Sequence, residues 1–297
     1  MRLWKKQSGI WPAEWETAGR ENAWRKERKM QYTKQNLKQQ LKEAGLKNTD
    51  TILIHSSMKA IGEVEGGADA VLDAWMEYFA QGLLLLPTHT WAQMGEEHTV
   101  YDPENEESCV GLLTNLFRKR PGVVRSLHPT HSVAAYGRDA AAYVAGEENC
   151  NTPCTPGGCY DRLRQMNGKI LLAGVGHERN TFIHSVEEVL NVPNRLTDRP
   201  VLFQVVMSDG SRKPVYMRRH YNAVQPHISE EFVKLEQAFY DTGAAKKVKF
   251  GAADCILCDA GRVFEVTRLC LAPDPECLVT KAVIPPERWK GMKSPEV

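Results

Sequence analysis

The order of apolar runs predicts an α/β fold with a mixed sheet, in one domain decorated by long loops. Three observations carry it. Thr51-Ile52-Leu53-Ile54 and Leu83-Leu84-Leu85-Leu86 are short, unbroken apolar runs, as in strands buried on both faces. Between them, Gly66-Gly67 opens a segment with Val71, Ala74, Trp75 and Tyr78 at i, i+3, i+4 and i+7, the stripe of a helix packed on a sheet. Lys169-Ile170-Leu171-Leu172-Ala173 is a further strand, which leaves through the turn Gly174-Val175-Gly176-His177 into a helix over residues 181–190.

The remaining elements follow in order. Residues 32–44 have helical spacing at Leu37, Leu41 and Ala44, and Gly45 stops the helix. Residues 88–108 lack periodicity and are rich in charge, a loop too long to be an idle connection. Residues 112–120 read as a helix ended by Pro121-Gly122, and residues 149–158 as a second irregular loop. Residues 201–207 and 213–217 alternate around Ser208-Asp209-Gly210, a hairpin. Residues 230–240 read as a helix, and residues 256–266 as a second hairpin over Asp259-Ala260-Gly261.

The 297 residues are 42% hydrophobic and 25% charged, which excludes a disordered chain. The longest apolar runs fall far short of the ~20 residues of a membrane span. A net charge of +1 provides no global field for nucleic acid or a membrane surface, and neither is expected as a partner. Residues 1–29 hold four of the seven tryptophans and the basic stretch Arg25-Lys26-Glu27-Arg28-Lys29. With no apolar central region they are not a secretory signal; they are expected to be a peripheral extension before a single domain over 30–297. The eight cysteines are then expected to be reduced thiols in a cytoplasmic protein. Only Cys255-x-x-Cys258 has a metal-like spacing; it lacks a second pair and alternates like a strand, so buried strand cysteines and no metal are expected.

Ligands of open α/β sheets bind at the carboxyl ends of strands. Four such ends carry reactive residues: His55-Ser56-Ser57, Thr88-His89-Thr90, Ser126-Leu127-His128 and Gly176-His177. Together they suggest one shared cleft. His177, on a tight turn between strand and helix, is the leading candidate for a neutral general base. The competing reading is a histidine that caps the helix. His184 and Glu188 stand at i, i+4 and Glu187 at the edge of the apolar face; His184-x-x-Glu187 either orients His177, ligates a metal or is a solvated face. His55 is an acid, base or orienting group, or a satisfied buried histidine. Gly66-Gly67 lets backbone approach a phosphate at a helix start. The loop from Gly95 to Cys109 holds Glu96, Glu97, Asp102, Glu104, Glu106 and Glu107 without a Lys or Arg, an anionic surface suited to a polycation. Arg118-Lys119-Arg120 and Arg125 form an opposite, basic patch. Gly-x-Ser-x-Gly, Walker A, Gly-x-Gly-x-x-Gly and His-Glu-x-x-His motifs are all absent.

Three runs carry a family resemblance. Ile54-His55-Ser56-Ser57-Met58-Lys59-Ala60-Ile61-Gly62 with Gly66-Gly67-Ala68 resembles the opening motif of the aminoglycoside 3-N-acetyltransferases. The run from Arg120 through Arg125-Ser126-Leu127-His128-Pro129-Thr130-His131-Ser132 to Gly137 is similar to their central motif. Gly174-Val175-Gly176-His177, Asn180-Thr181 and His184-x-x-Glu187 resemble their third, in the family's order. The resemblance spans about residues 30–266.

It implies the antibiotic N-acetyltransferase fold, a three-layer α/β/α arrangement distinct from the GNAT superfamily. It also implies acetyl-CoA as co-substrate, without a metal, and as acceptor the 3-amino group of the deoxystreptamine ring of an aminoglycoside antibiotic. Ser56, Ser57, Lys59, Gly66, Gly67, Arg125, Ser126 and His128 would line the CoA path. Asp102, Glu104 and His184 would meet the cationic drug. His177 would be the general base of a direct transfer in a ternary complex, with Glu187, or Asp198, Glu230 or Glu231, steadying its imidazolium. His55 is the second catalytic choice. The protein is expected to be a monomer or homodimer that confers resistance. An acyltransferase of the same fold acting on another amine, a metallohydrolase built on His177, His184 and Glu187, and a non-catalytic binder of cations are the alternatives.

Overall fold

The computed structural model describes residues 31–292; the expected 1–29 extension lies outside the described residues. Along the chain come α1 (Lys34–Glu43), β1 (Thr51–Ser56), α2 (Met58–Ile61), α3 (Gly67–Tyr78), β2 (Leu83–Pro87), β3 (Val100–Tyr101), α4 (Leu112–Phe117), β4 (Val124–Arg125), β5 (Val133–Gly137) and α5 (Ala140–Val144). They are followed by α6 (Cys159–Gln165), β6 (Lys169–Ala173), α7 (Phe182–Val189), β7 (Val201–Val206), β8 (Arg212–Met217), α8 (Glu236–Asp241), β9 (Ala245–Phe250), β10 (Ala253–Asp259) and α9 (Ala260–Leu271).

Seven strands form one sheet in the order β4-β5-β2-β1-β6-β10-β9. Its centre, β2-β1-β6, is parallel, with Leu53 opposite Leu85 and Ile170; the β2-β5, β5-β4, β6-β10 and β10-β9 pairs are antiparallel. The sheet is therefore mixed, as expected. Successive side chains of a strand face opposite ways, and here both faces are covered. Ile52, Ile54, Leu84, Leu86 and Leu171 pack with Leu37 and Leu41 of α1, Val71 and Trp75 of α3 and Phe117 of α4. Leu53, Leu83, Leu85, Ile170 and Leu172 pack with Leu163 of α6, Phe182 and Val186 of α7, Phe239 of α8 and Val263 of α9. That gives three layers, α/β/α. Each such fully buried aliphatic side chain contributes about 1.5–3 kcal/mol relative to its exposed state. Among the described residues no helix is long and apolar enough to cross a membrane.

A second, three-stranded sheet, β3-β7-β8, rests on its own core of Met94, Tyr101, Phe203, Val205, Val215 and Met217. It contains the predicted 201–217 hairpin, and β3 joins it in parallel from inside the long 88–108 loop. That loop is thus partly a strand, hidden in the sequence because only two of its residues pair.

Two expectations need correction. The hairpin expected over Asp259-Ala260-Gly261 is a strand followed by a helix: the Asp259 carboxylate accepts the Arg262 N–H at 3.0 Å and caps α9. Asp-Ala-Gly has the letters of a turn, but Asp259 here is a helix N-cap. The hairpin of this region is β9-β10, turning at Gly251 with φ +59°. The expected 230–240 helix is a tighter 3₁₀ stretch over Ile228–Leu235 that runs into α8. Cys255 and Cys258 face opposite sides of the sheet, one in each core, so they cannot share a metal ion.

Candidate active site

The carboxyl ends of β1, β2 and β6 open into a cleft of about 580 Å³. His55 and Ser56 follow from β1, His89 from β2, and Val175 and Glu178 from the turn after β6. Arg219 and His220, which leave β8, close it from the second sheet, and His227 to Ser229 complete the wall. Six of the nine histidines line this space: His55, His89, His131, His184, His220 and His227.

His184 is the best-supported side chain among them. Its Nδ1 meets Glu187 Oε2 at 2.9 Å, one helical turn on in α7. The other Glu187 oxygen accepts Arg195 Nε at 2.7 Å, and Arg195 is held in turn by the carbonyl of Pro275 at 2.7 Å. A carboxylate beside Nδ1 retains the proton there, so Nε2 is left with its lone pair free. The ring is fixed from the sides as well: His220 stacks on it at 3.9 Å between centroids, and Phe232 meets it edge-on at 4.7 Å. Burial and the neighbouring His220 push the His184 pKa down against the pull of Glu187, which keeps the ring neutral near pH 7. Burial alone would raise the Glu187 carboxyl, but His184 and Arg195 together hold it below its ordinary value. Glu187 is therefore an anion at neutral pH, and one well placed to steady a His184 imidazolium.

Of the three readings open for His184-x-x-Glu187, the solvated face does not hold. Instead Phe182, Ile183, His184, Ser185, Val186 and Glu187 are all buried. The helix lies in the layer with α6 and α9, and the segment after β8 covers the side that a lone amphipathic helix would expose to water.

His177 is placed elsewhere. It is fully buried and absent from the cleft wall; its Nδ1 pairs with the Asn180 amide at 3.2 Å and its ring packs on Phe239 at 4.9 Å. The cause is local: Gly174, at φ +75°, turns the chain out of β6, and the 3₁₀ turn His177–Arg179 tucks the imidazole under the helical layer. Burial pushes its pKa down to about 4. Asp198, Glu230 and Glu231, held open as its partners, make no bond to it among the described contacts. His55 does face the cleft, almost fully buried, with Nε2 lacking any hydrogen-bond partner and its pKa pushed down to about 3 by burial.

The expected CoA-lining residues divide into two groups. Ser56 lines the cleft, and Ser57 beside it caps α2 by accepting the Ala60 N–H at 3.3 Å. Lys59 is exposed, and Gly66 and Gly67, both with positive φ, shape the start of α3. In contrast, Arg125, Ser126 and His128 are absent from the cleft wall and take part in structural bonds. Arg125 donates to Thr88, Ser132 and the carbonyls of Pro103, Glu106 and Thr88, which ties the long loop to the sheet. Ser126 Oγ accepts the Val133 N–H, while His128 accepts two backbone N–H groups at Nδ1 and bonds the Thr152 carbonyl through Nε2. Nothing in a short run of letters distinguishes such buried clamps from a ligand-facing patch.

The acidic loop is also used differently. Asp102 bonds the Glu104 and Asn105 N–H groups and the Asn105 amide, and Glu106 bonds Gln93 and His98. The Glu104 side chain is exposed. None of the loop's six acids lines the cleft; Cys109, Val110 and Gly111 at its end do. The sequence reading missed Arg195 and His220. Both belong to the stretch between Pro193 and Pro226, where no motif marks them.

Fold and cleft together define an α/β protein with a carboxylate-backed histidine at its strand ends. The description "Aminoglycoside 3-N-acetyltransferase" belongs to the family model that matches residues 53–272. Aminoglycoside N(3)-acetyltransferase VII of Streptomyces paromomycinus is 30% identical over 262 residues, covering 78% of this chain and 89% of that protein. Among solved structures, a histidine-to-alanine mutant of aminoglycoside acetyltransferase AAC(3)-IVa in complex with a gentamicin superposes with a TM-score of 0.72 at 23% identity, over 89% of this chain and 97% of that one. AAC-IIIb, binary with CoASH, superposes with a TM-score of 0.70 at 20% identity, over 80% and 95%. The chain belongs to the aminoglycoside 3-N-acetyltransferase family, and it is an acyltransferase.

Proposed function

We propose that the protein transfers the acetyl group of acetyl-CoA to the 3-amino group of the deoxystreptamine ring of an aminoglycoside, with His184 rather than His177 as general base. The observation that carries this reading is the chain of contacts from His184 through Glu187 to Arg195, which ends in the cleft at a free imidazole nitrogen. The acceptor amine is protonated in neutral water and attacks only after it loses that proton. His184 Nε2 takes it, and Glu187 steadies the resulting cation. Acetyl-CoA supplies an activated acyl carbon: the amide C–N bond forms, the C–S bond breaks, and the second amine proton leaves with the CoA thiol. Such a base contributes roughly 10²–10⁴ in rate.

The cleft fits a thioester at one further point. His55 Nε2 is a buried nitrogen without a partner, and as an N–H it would donate to the carbonyl oxygen as negative charge develops there. Ser56, Ser57, Lys59, Gly66 and Gly67 remain the proposed path for the rest of CoA. For the cationic acceptor, Glu178 is the acid in the cleft wall, in place of Asp102 and Glu104.

The test is CoA-thiol release from acetyl-CoA with gentamicin, neomycin and apramycin. His184→Ala is expected to lower kcat by roughly 10²–10⁴, while His177→Ala keeps kcat within a few-fold and loses thermal stability instead. The opposite pattern would return the base to His177. Acetyl-CoA binding without release on any aminoglycoside would mean another amine is the acceptor.

A further inference from the structure

Beside the His184–Glu187 pair, a second group of ligating atoms converges that the proposed transfer does not use. Cys154 Sγ, a Glu188 carboxylate oxygen and a His220 ring nitrogen all lie within 4.8 Å of one another. They come from three separate parts of the chain: the loop before α6, the end of α7 and the segment after β8. We propose that Cys154, Glu188 and His220 form a binding site for Zn²⁺ at the edge of the cleft.

Four features support it. The donors are one sulfur, one imidazole nitrogen and one carboxylate oxygen, the set that a borderline-soft divalent ion takes and that Mg²⁺ or Ca²⁺ does not. The group is already assembled, because Glu188 Oε1 accepts both the Cys154 N–H at 2.9 Å and His220 Nε2 at 2.8 Å. It is shielded: the Glu188 and His220 side chains are 4% and 13% exposed and Cys154 is buried. Two of its donors are poorly used. Cys154 Sγ has only a 4.0 Å approach to the Thr181 carbonyl, and Glu188 Oε2 makes no hydrogen bond within reach, although the Thr152 hydroxyl lies near the carboxylate and helps to hold it charged.

On binding, the thiol would give its proton to solvent and His220 would carry its ring proton on Nδ1, which frees Nε2 for the ion. Three protein ligands leave a fourth position for water, and His220 and Pro153 place that side of the group on the cleft wall. These are not the residues of the metallohydrolase alternative. His177 lies outside the cleft, and both Glu187 oxygens are engaged.

The experiment is titration of the full-length protein with Zn²⁺ by calorimetry and with Co²⁺ by absorption spectroscopy, in a Cys109→Ser background that removes the exposed thiol. One equivalent of Zn²⁺ is expected to bind, and the Co²⁺ form to show a thiolate-to-metal charge-transfer band. Cys154→Ser is expected to abolish the band and weaken Zn²⁺ by at least ~10-fold. His220→Gln, which leaves the thiol in place, is expected to weaken Zn²⁺ by a similar factor; circular dichroism confirms that both variants fold. Failure to bind, or a band and affinity that survive Cys154→Ser, would overturn the proposal. Neither result depends on whether acetyl transfer occurs, so the two readings fail separately.

Discussion

Glu187 is a carboxylate at 1% side-chain exposure, held between His184 on one oxygen and Arg195 on the other. A buried charge stripped of its partner is expensive, so Arg195→Ala is expected to cost roughly 3–5 kcal/mol of stability in denaturant melts. Glu187→Gln keeps the shape and removes the charge proposed to steady a His184 imidazolium. It is expected to lower kcat by at least ~10² with a small change in KM, measured by thiol release. A kcat within a few-fold of the parent would detach Glu187 from the base. Gly174 bears on the same site through the backbone. At φ +75° a side chain is already strained, and an added Cβ would overlap Ala60 on α2. Gly174→Ala is thus expected to destabilise the turn between β6 and the cleft by more than ~1 kcal/mol, read as a lower Tm.

Among the elements, the long 88–108 loop is tied down by β3 in the second sheet and, at Pro103 and Glu106, by the Arg125 guanidinium. Arg125 bonds the Pro103 and Glu106 carbonyls with one nitrogen and Thr88 and Ser132 with the others, so it links loop, β2 and β5. Arg125→Ala leaves these carbonyls without their donor. Limited proteolysis with a Glu-specific protease is expected to cut first at Glu104, Glu106 or Glu107, at least several-fold faster than in the parent. Equal cleavage rates would show that β3 and the second sheet hold the loop unaided. The loop's length and charge mark it in the sequence, but its acids do not line the cleft. Its place beside the cleft, where Cys109 to Gly111 join the wall, goes with a pairing of β3 to residues about a hundred positions away in β7.

For the whole molecule, buried neutral histidines set the acid limit. Burial holds His55 at about 3 and His177 at about 4, against 6.5 for an ordinary histidine. In the window between, the unfolded chain binds protons that the folded chain refuses, so stability is complete above pH 6.5 and falls as pH drops toward 4. At pH 5 each of these two residues costs on the order of 2 kcal/mol. The Tm is expected to fall steeply from pH 7 to pH 5, with a smaller fall in His177→Phe. A Tm that holds constant over this interval would mean that these rings ionise freely in the folded state.

The sequence by itself determined the central strands, the covered sheet and the strand-end cleft. Unbroken runs such as Leu83 to Leu86, short and bounded by Gly82 and Pro87, suit a strand buried on both faces, and polar letters directly after such runs then sit at its carboxyl end. The family resemblance marked His55, Ser56, His177, His184 and Glu187 together, with His177 as the base, Glu187 as its partner and His184 as a contact of the drug. The tertiary structure alone decided which histidine meets the cleft. His177 and His184 are seven residues apart, and the strand-end turn favours His177 as letters; in the fold a glycine turn buries His177, while α7 and the segment after β8 present His184. Arg195 and His220 reach Glu187 and Glu188 through space, from a stretch with no periodic or motif signal. Such contacts are products of packing between distant segments, and a one-dimensional pattern does not contain them.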